Sequence, residues 1–187
     1  LLVDGAREII GLGLNKLGYS LNDKNPQHIK KAESDLHHLA PQVRGVVGDE
    51  ITMMLEQNEG SIAVVWSGVA APLVQEGDKY NYVIPKEGSN LWFDNMVIPK
   101  TAQNKEGAYR FMNFLLDEKN NKQNTEWVGY ATPNKEARKM LPKDIRNDHR
   151  FYPTKKEQQR LELYQDLGQD TLSDYNESFL NFKMSLK

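Results

Sequence analysis

The chain opens on a short apolar run, Leu1 to Val3. Through Asp4 and Gly5 it passes into Ala6, Ile9, Ile10, Gly13, Leu14 and Leu17 at helical spacing. A strand that turns straight into an amphipathic helix is half of a βαβ unit, and parallel strands need such crossovers. The order recurs along the chain. Asn25 as cap and Pro26 at the first helical position announce a second helix, striped with Ile29, Ala32, Leu36 and Leu39 and stopped by Pro41. A short strand is expected over Val43 to Val47, then a helix capped by Asp49 that buries Ile51, Met54 and Leu55. The run "SIAVVW", bounded by Gly60 and by Ser67-Gly68, reads as a strand buried on both faces, and "GVAAPLVQEG" as a short helix after it.

Two further strands are expected, Tyr80 to Ile84 and Leu91 to Ile98, joined by the turn-forming "PKEGSN". Asn104 then caps a helix with Ala108, Phe111, Met112 and Leu115 on one face, and a short helix carries Trp127 before "GYATPN" breaks it. The last quarter reads as helical, its final helix striped by Leu172, Tyr175, Phe179 and Phe182. The expected fold class is therefore α/β with a parallel-rich sheet.

Composition closes off several functions. Lys and Arg number 24 against 26 Asp and Glu, a net charge of −2, which gives no bulk attraction for nucleic acid. The absence of cysteine removes disulfides, thiolate metal sites and cysteine nucleophiles together. The most apolar stretch, around "SIAVVWSGVAAPLV", is shorter than the roughly 20 residues a membrane span needs. With neither an initiator Met nor a basic leader, the chain is expected to be a fragment of a larger protein. Gly11, Gly13 and Gly18 do not make a dinucleotide fingerprint, because Lys16 stands where the third glycine belongs. His37 and His38 are neighbours, so on a helix their rings diverge by about 100° and read as solvated histidines at a helix end. Neither a cofactor nor a metal is expected, and no catalytic motif is present.

The residues that carry chemistry are aromatic and acidic. Trp66 ends a predicted strand just before Ser67-Gly68, where α/β sheets present ligand-facing groups. Trp92 and Asp94 lie two apart on a predicted strand, so both point to one face, and Tyr130 follows Gly129 in a loop. Rings cover the methylenes of an alkyl-ammonium ligand and attract its charge by about 0.5 to 2 kcal/mol each, and carboxylates accept its charge-assisted hydrogen bonds. A strand tryptophan is also an ordinary core residue, and that alternative stays open at this point.

The strings "LLVDGAREIIGLGLNKLGYSLN", "AVVWSG", "LWFDNMVIPKTAQNKEGAYRFMNFLLD", "VGYATPNKEARKMLP" and "RFYP", in this order, resemble the carboxy-terminal part of the spermidine/putrescine-binding proteins, solute receptors of bacterial polyamine ABC transporters. The resemblance covers essentially the whole chain and is most specific in the long "LWFDN" string. It implies a type II periplasmic-binding-protein-like fold, two α/β lobes with polyamine held between them, working outside the cytoplasmic membrane and delivering the ligand to permease subunits. That setting is the periplasm or, with a lipid anchor, the outer face of a Gram-positive membrane. It also implies ligand contacts by Trp66, Trp92, Asp94 and Tyr130, by Glu8 of "DGARE" and by Gln165 of "LYQDLG". Gly5 departs from better-known relatives, which carry a second Asp there, and this bears on the choice between spermidine and putrescine.

On the same resemblance, residues 1–86 form a segment of the second lobe, 87–137 a return segment of the first, and 138–187 a helical tail returning to the second. A first lobe so incomplete leaves an apolar face uncovered around Trp92 to Tyr130, and a homodimer or a domain exchange is expected to bury surface near Trp92 to Phe114. Three rivals stand beside this reading: a receptor for another small solute, a fragment that binds nothing, and an enzyme using Glu8 and Asp94 as acid and base. An anion receptor would want Arg or Lys in place of those carboxylates.

Overall fold

A computed structural model describes residues 1–77 and 79–186. In chain order its elements are β1 (Leu2–Val3), α1 (Ala6–Lys16), α2 (Pro26–His37), a 3₁₀ turn (Ala40–Gln42), β2 (Val46–Val47), α3 (Ile51–Glu56) and α4 (Ser67–Gln75). They continue with β3 (Ser89–Leu91), α5 (Lys105–Leu116), α6 (Glu118–Val128), α7 (Lys135–Met140), α8 (Lys143–Arg146), α9 (Lys155–Gln158), β4 (Leu161–Leu163) and α10 (Gln169–Met184). Every strand pair among the described residues is parallel: Leu2 with Val46, Val3 with Val47, and Ser89 to Leu91 with Leu161 to Leu163. Val64 adds an isolated parallel bridge to Leu2. The chain divides into two compact units, one of Leu1–Trp66, Val83–Trp92 and Lys156–Lys187, the other of Ser67–Tyr82 and Phe93–Lys155.

The first unit holds the hydrophobic core. Ile9, Ile10 and Leu14 of α1, Ile29, Ala32 and Leu36 of α2, and Tyr175, Phe179 and Phe182 of α10 are buried together, as the helical stripes predict. Each large side chain buried in this way contributes about 1.5 to 3 kcal/mol. Gly13 lets α1 and α2 approach closely, since a Cβ there would lie 3.2 Å from both Ala32 and Leu36. Asn25 caps α2 by accepting from the Gln27 N–H at 2.9 Å, with Pro26 at the first helical position.

The second unit is built from α4 through α8. Its helix ends follow local rules: Asn104 accepts from Gly107 N–H, Asp117 caps α6, and Asn134 accepts from Glu136 and Ala137 N–H. Gly129 ends α6 in the left-handed conformation, φ 75°. Tyr152 anchors the following loop: its hydroxyl accepts from Thr132 N–H at 3.2 Å, and the Arg138 guanidinium lies 4.0 Å from its ring centre. Helix α5 has no buried residue; Tyr109, Phe111, Phe114 and Leu116 are all exposed.

Several expectations are corrected. "SIAVVW" is not a strand buried on both faces: only Val64 pairs, and Ile62 is 83% exposed. Residues 80–84 form no strand, and of Leu91 to Ile98 only Leu91 is in one. Among the described residues Phe93, Met96 and Val97 are exposed with no strand paired to them, and strand propensity cannot hold a strand without a ladder partner. Glu50, not Asp49, occupies the cap position of α3. The tail is not wholly helical, because Leu161–Leu163 is recruited by β3.

Candidate functional site

In the first unit, four of the six candidate residues follow the carboxyl ends of parallel strands. β1 leads through Asp4-Gly5 into the first turn of α1, where Glu8 sits; Val64 leads to Trp66; β3 leads to Trp92; and β4 leads to Tyr164 and Gln165. The carboxyl ends of parallel strands are where such sheets present ligand-binding groups. Trp92 directly follows Leu91, whose register partner is Leu163, the residue before Tyr164. Trp66 is half-buried against the core, so its ring carries packing as well as any ligand role.

The Glu8 carboxylate folds back over Gly5, into space that a Cβ at position 5 would occupy. A carboxylate in the first turn of a helix is favoured by the helix dipole. Burial, and next the Glu8 charge, push the Tyr164 phenol well above its usual 10, with the Arg7 guanidinium opposing them. Arg7 stacks 4.5 Å from the Tyr164 ring centre and 5.4 Å from that of Tyr175, and it donates to Asn22 Oδ1 at 2.8 Å and to the Gln165 carbonyl at 3.3 Å. Asn22 Oδ1 also accepts from Gln165 N–H at 2.9 Å, while Asn22 Nδ2 donates to the Leu163 carbonyl. Gln165 is thus held by its backbone, and its residue position is exposed. Tyr175 donates to the Leu21 and Asp23 carbonyls, and its phenol is pushed up to about 12, chiefly by burial.

The second unit carries Asp94 and Tyr130. The strand expected to set Trp92 and Asp94 on one face ends at Leu91, so strand alternation does not relate them. Asp94 lies in exposed, non-strand chain. Tyr130 is half-buried: its ring lies over Gly68, where a Cβ would overlap it, and it lines a small pocket with Ala71, Pro72 and Gln75. Sequence reasoning did not single out Arg7, Asn22 or Tyr164. Tyr164 stands beside Gln165 in "LYQDLG", and that adjacency was the available signal. Among the described residues no group of three or more His, Cys, Asp or Glu is placed to hold a metal ion. No described helix is long and apolar enough to cross a membrane.

Residues 4–152 match the family model described as bacterial extracellular solute-binding protein. A spermidine/putrescine-binding periplasmic protein of Escherichia coli is 38% identical over 183 residues, 98% of this chain and 52% of the relative. Among solved structures, a putative spermidine/putrescine ABC transporter from Listeria monocytogenes is 55% identical with a TM-score of 0.92, over 98% of this chain and 56% of the other. The spermidine/putrescine ABC transporter substrate-binding protein of Streptococcus pneumoniae is 45% identical with a TM-score of 0.87, over 100% of this chain and 58% of the other. The chain spans about half the length of the curated relatives it matches. A match over this much of the sequence, joined to an α/β framework with parallel strand ends, places the chain in the bacterial extracellular solute-binding protein family, a family of binding proteins and not of enzymes.

Proposed function

We propose that the chain is part of the extracytoplasmic solute-binding component of a polyamine ABC transporter, which takes up spermidine or putrescine and hands it to membrane permease subunits. The observation that carries this reading is the Glu8 carboxylate beyond the carboxyl end of β1, with Trp66, Trp92 and Gln165 likewise following the carboxyl ends of parallel-paired segments. In the proposed site Glu8 and Asp94 accept hydrogen bonds from ammonium groups, Trp66, Trp92 and Tyr130 cover methylenes, and Gln165 contributes an amide. The names of the relatives support the ligand class. An anion receptor would place Arg or Lys in the positions of Glu8 and Asp94. The lobes expected from the sequence remain part of this proposal, 1–86 and 138–187 in one and 87–137 in the other. Calorimetry of the full-length protein should give saturable one-to-one binding of spermidine or putrescine, and no binding of either overturns the reading.

The uncovered face of α5 supports a second element of the proposal, that the isolated chain self-associates. Phe111, Phe114 and Leu116 of α5 are exposed, and Trp127 of α6 is 89% exposed. Exposed apolar surface of this kind favours association. Light scattering of the isolated chain should give about twice 21.5 kDa. A mass of 21.5 kDa at high concentration removes the homodimer.

A further inference from the structure

We infer that Asn22 is the positioning residue of Gln165: its side-chain amide stands in for a neighbouring strand just beyond the end of β4 and, with Arg7, fixes the backbone that carries the Gln165 side chain. The inference rests on the proposed role of Gln165 as an amide contact to the ligand. The β3–β4 ladder ends at the pair Leu91 and Leu163. From there Asn22 takes over. Its Nδ2 donates to the Leu163 carbonyl at 2.9 Å, and its Oδ1 accepts from Gln165 N–H at 2.9 Å. A residue of a parallel strand makes the same pair of bonds, donating to one residue of its neighbour and accepting from the residue two further on. Asn22 adds one such rung around Tyr164, with a side chain in place of a backbone.

The Gln165 backbone is held on its other side as well. Arg7 Nη1 donates to the Gln165 carbonyl at 3.3 Å and Arg7 Nη2 donates to the same Asn22 Oδ1 at 2.8 Å, so one guanidinium fork ties the asparagine to the residue it holds. The loop that carries Asn22 is itself fixed. The buried Tyr175 hydroxyl donates to the Leu21 and Asp23 carbonyls, and the Ser20 hydroxyl and Leu21 N–H donate to the Glu162 carboxylate. Position 165 is exposed, so backbone bonds and not packing set its place. With N–H and carbonyl both engaged, the direction of the Gln165 Cα–Cβ bond is set before a ligand arrives, which removes part of the ordering cost of binding. Asparagine suits the task because its amide offers a donor and an acceptor at once, whereas ionised aspartate lacks the donor and leucine lacks both.

The test is spermidine affinity measured by calorimetry on the full-length protein for wild type, Asn22→Ala, Gln165→Ala and the double variant, with hydrogen exchange of the Gln165 amide followed in the ligand-free state. Asn22→Ala should weaken spermidine about three- to tenfold, the range of one hydrogen bond, and should speed exchange at Gln165 while the amides of α1 and α10 keep their wild-type protection. In the Gln165→Ala background the same substitution should cost no further affinity, whereas a merely structural role of Asn22 would give the same loss in both. Arg7→Lys gives a second cycle that leaves Asn22 in place. It keeps the charge, but a single ammonium does not reproduce the fork, so it should weaken spermidine by a smaller factor and again only where Gln165 is present. An equal loss in both backgrounds overturns the inference alone. So does an unchanged affinity in Asn22→Ala with Gln165→Ala weakened, or an unchanged exchange rate at Gln165. If Gln165→Ala binds as wild type does, Gln165 leaves the site and the inference goes with it; if wild type binds no spermidine, the spermidine reading itself falls.

Discussion

Helices α10 and α5 carry the same kind of message and meet different fates. Both are amphipathic and rich in phenylalanine, with apolar residues three and four apart. In α10 Tyr175, Phe179 and Phe182 are buried, whereas α5 exposes Phe111 and Phe114 and buries nothing. The difference is one of partners: α10 closes on α1 and α2 with its rings inside, whereas α5 packs on α6 with Ala108, Met112 and Leu115 only half-buried and its Phe111 and Phe114 rings exposed. Periodicity therefore predicts that a segment is a helix and which side is apolar. It does not say whether that side is covered.

The comparison can be broken most sharply by removing one ring from each helix. Phe182→Ala should cost about 3 to 5 kcal/mol, as a core aromatic does, while Phe114→Ala should change stability by no more than about 0.5 kcal/mol. Denaturant unfolding of both variants checks this, and a large loss in Phe114→Ala would mean that its face is covered in solution. Light scattering on the same variant tests self-association.

A smaller effect sharpens what the first unit's core tolerates. Glu33 of α2 is buried, 5% exposed, and takes both carboxylate oxygens to Lys30 Nζ at 3.0 and 3.1 Å. Burial pushes its carboxyl up, but the Ser178 and Lys30 hydrogen bonds and the Lys30 and His37 charges together hold it below the usual 4.5. A carboxyl lowered by folding contributes stability that is present above about pH 4.5 and is lost as pH falls through the lower folded value. Glu33→Ala should therefore cost about 1 to 3 kcal/mol near neutrality and shrink the difference from wild type in acid. Urea titrations at pH 7 and pH 3 measure both, and a difference that grows toward acid would contradict the assignment.

The smallest effect should not discriminate between the units at all. Asn25→Ala in the first and Asn134→Ala in the second each remove a side-chain cap, and each should cost about 1 kcal/mol because a cap acts on its own helix end. A cap loss much larger in one unit would show that its side chain does more than cap, and melting curves of the two variants decide it.

What the sequence determined by itself was local. The strand and the Gly5 cap position before α1, the Asn25-Pro26 start, the Asn104 cap and the stripes of α1, α2 and α10 were legible because caps and apolar spacing act within a few residues. The parallel class was legible from strand–helix alternation. Strands were legible only where a ladder partner exists: β4 was missed, and residues 80–84 and 92–98 were expected to be extended in strands that do not form. Of the candidate site, the aromatic and acidic residues could be chosen from chemistry and resemblance, but their support could not. Arg7 meets Tyr164 and Asn22 meets Gln165 only because the tail returns beside α1 from far along the chain, bringing together residues more than 140 positions apart. Tertiary structure alone makes such contacts, since nothing in local spacing encodes which distant segment will lie against a helix's first turn.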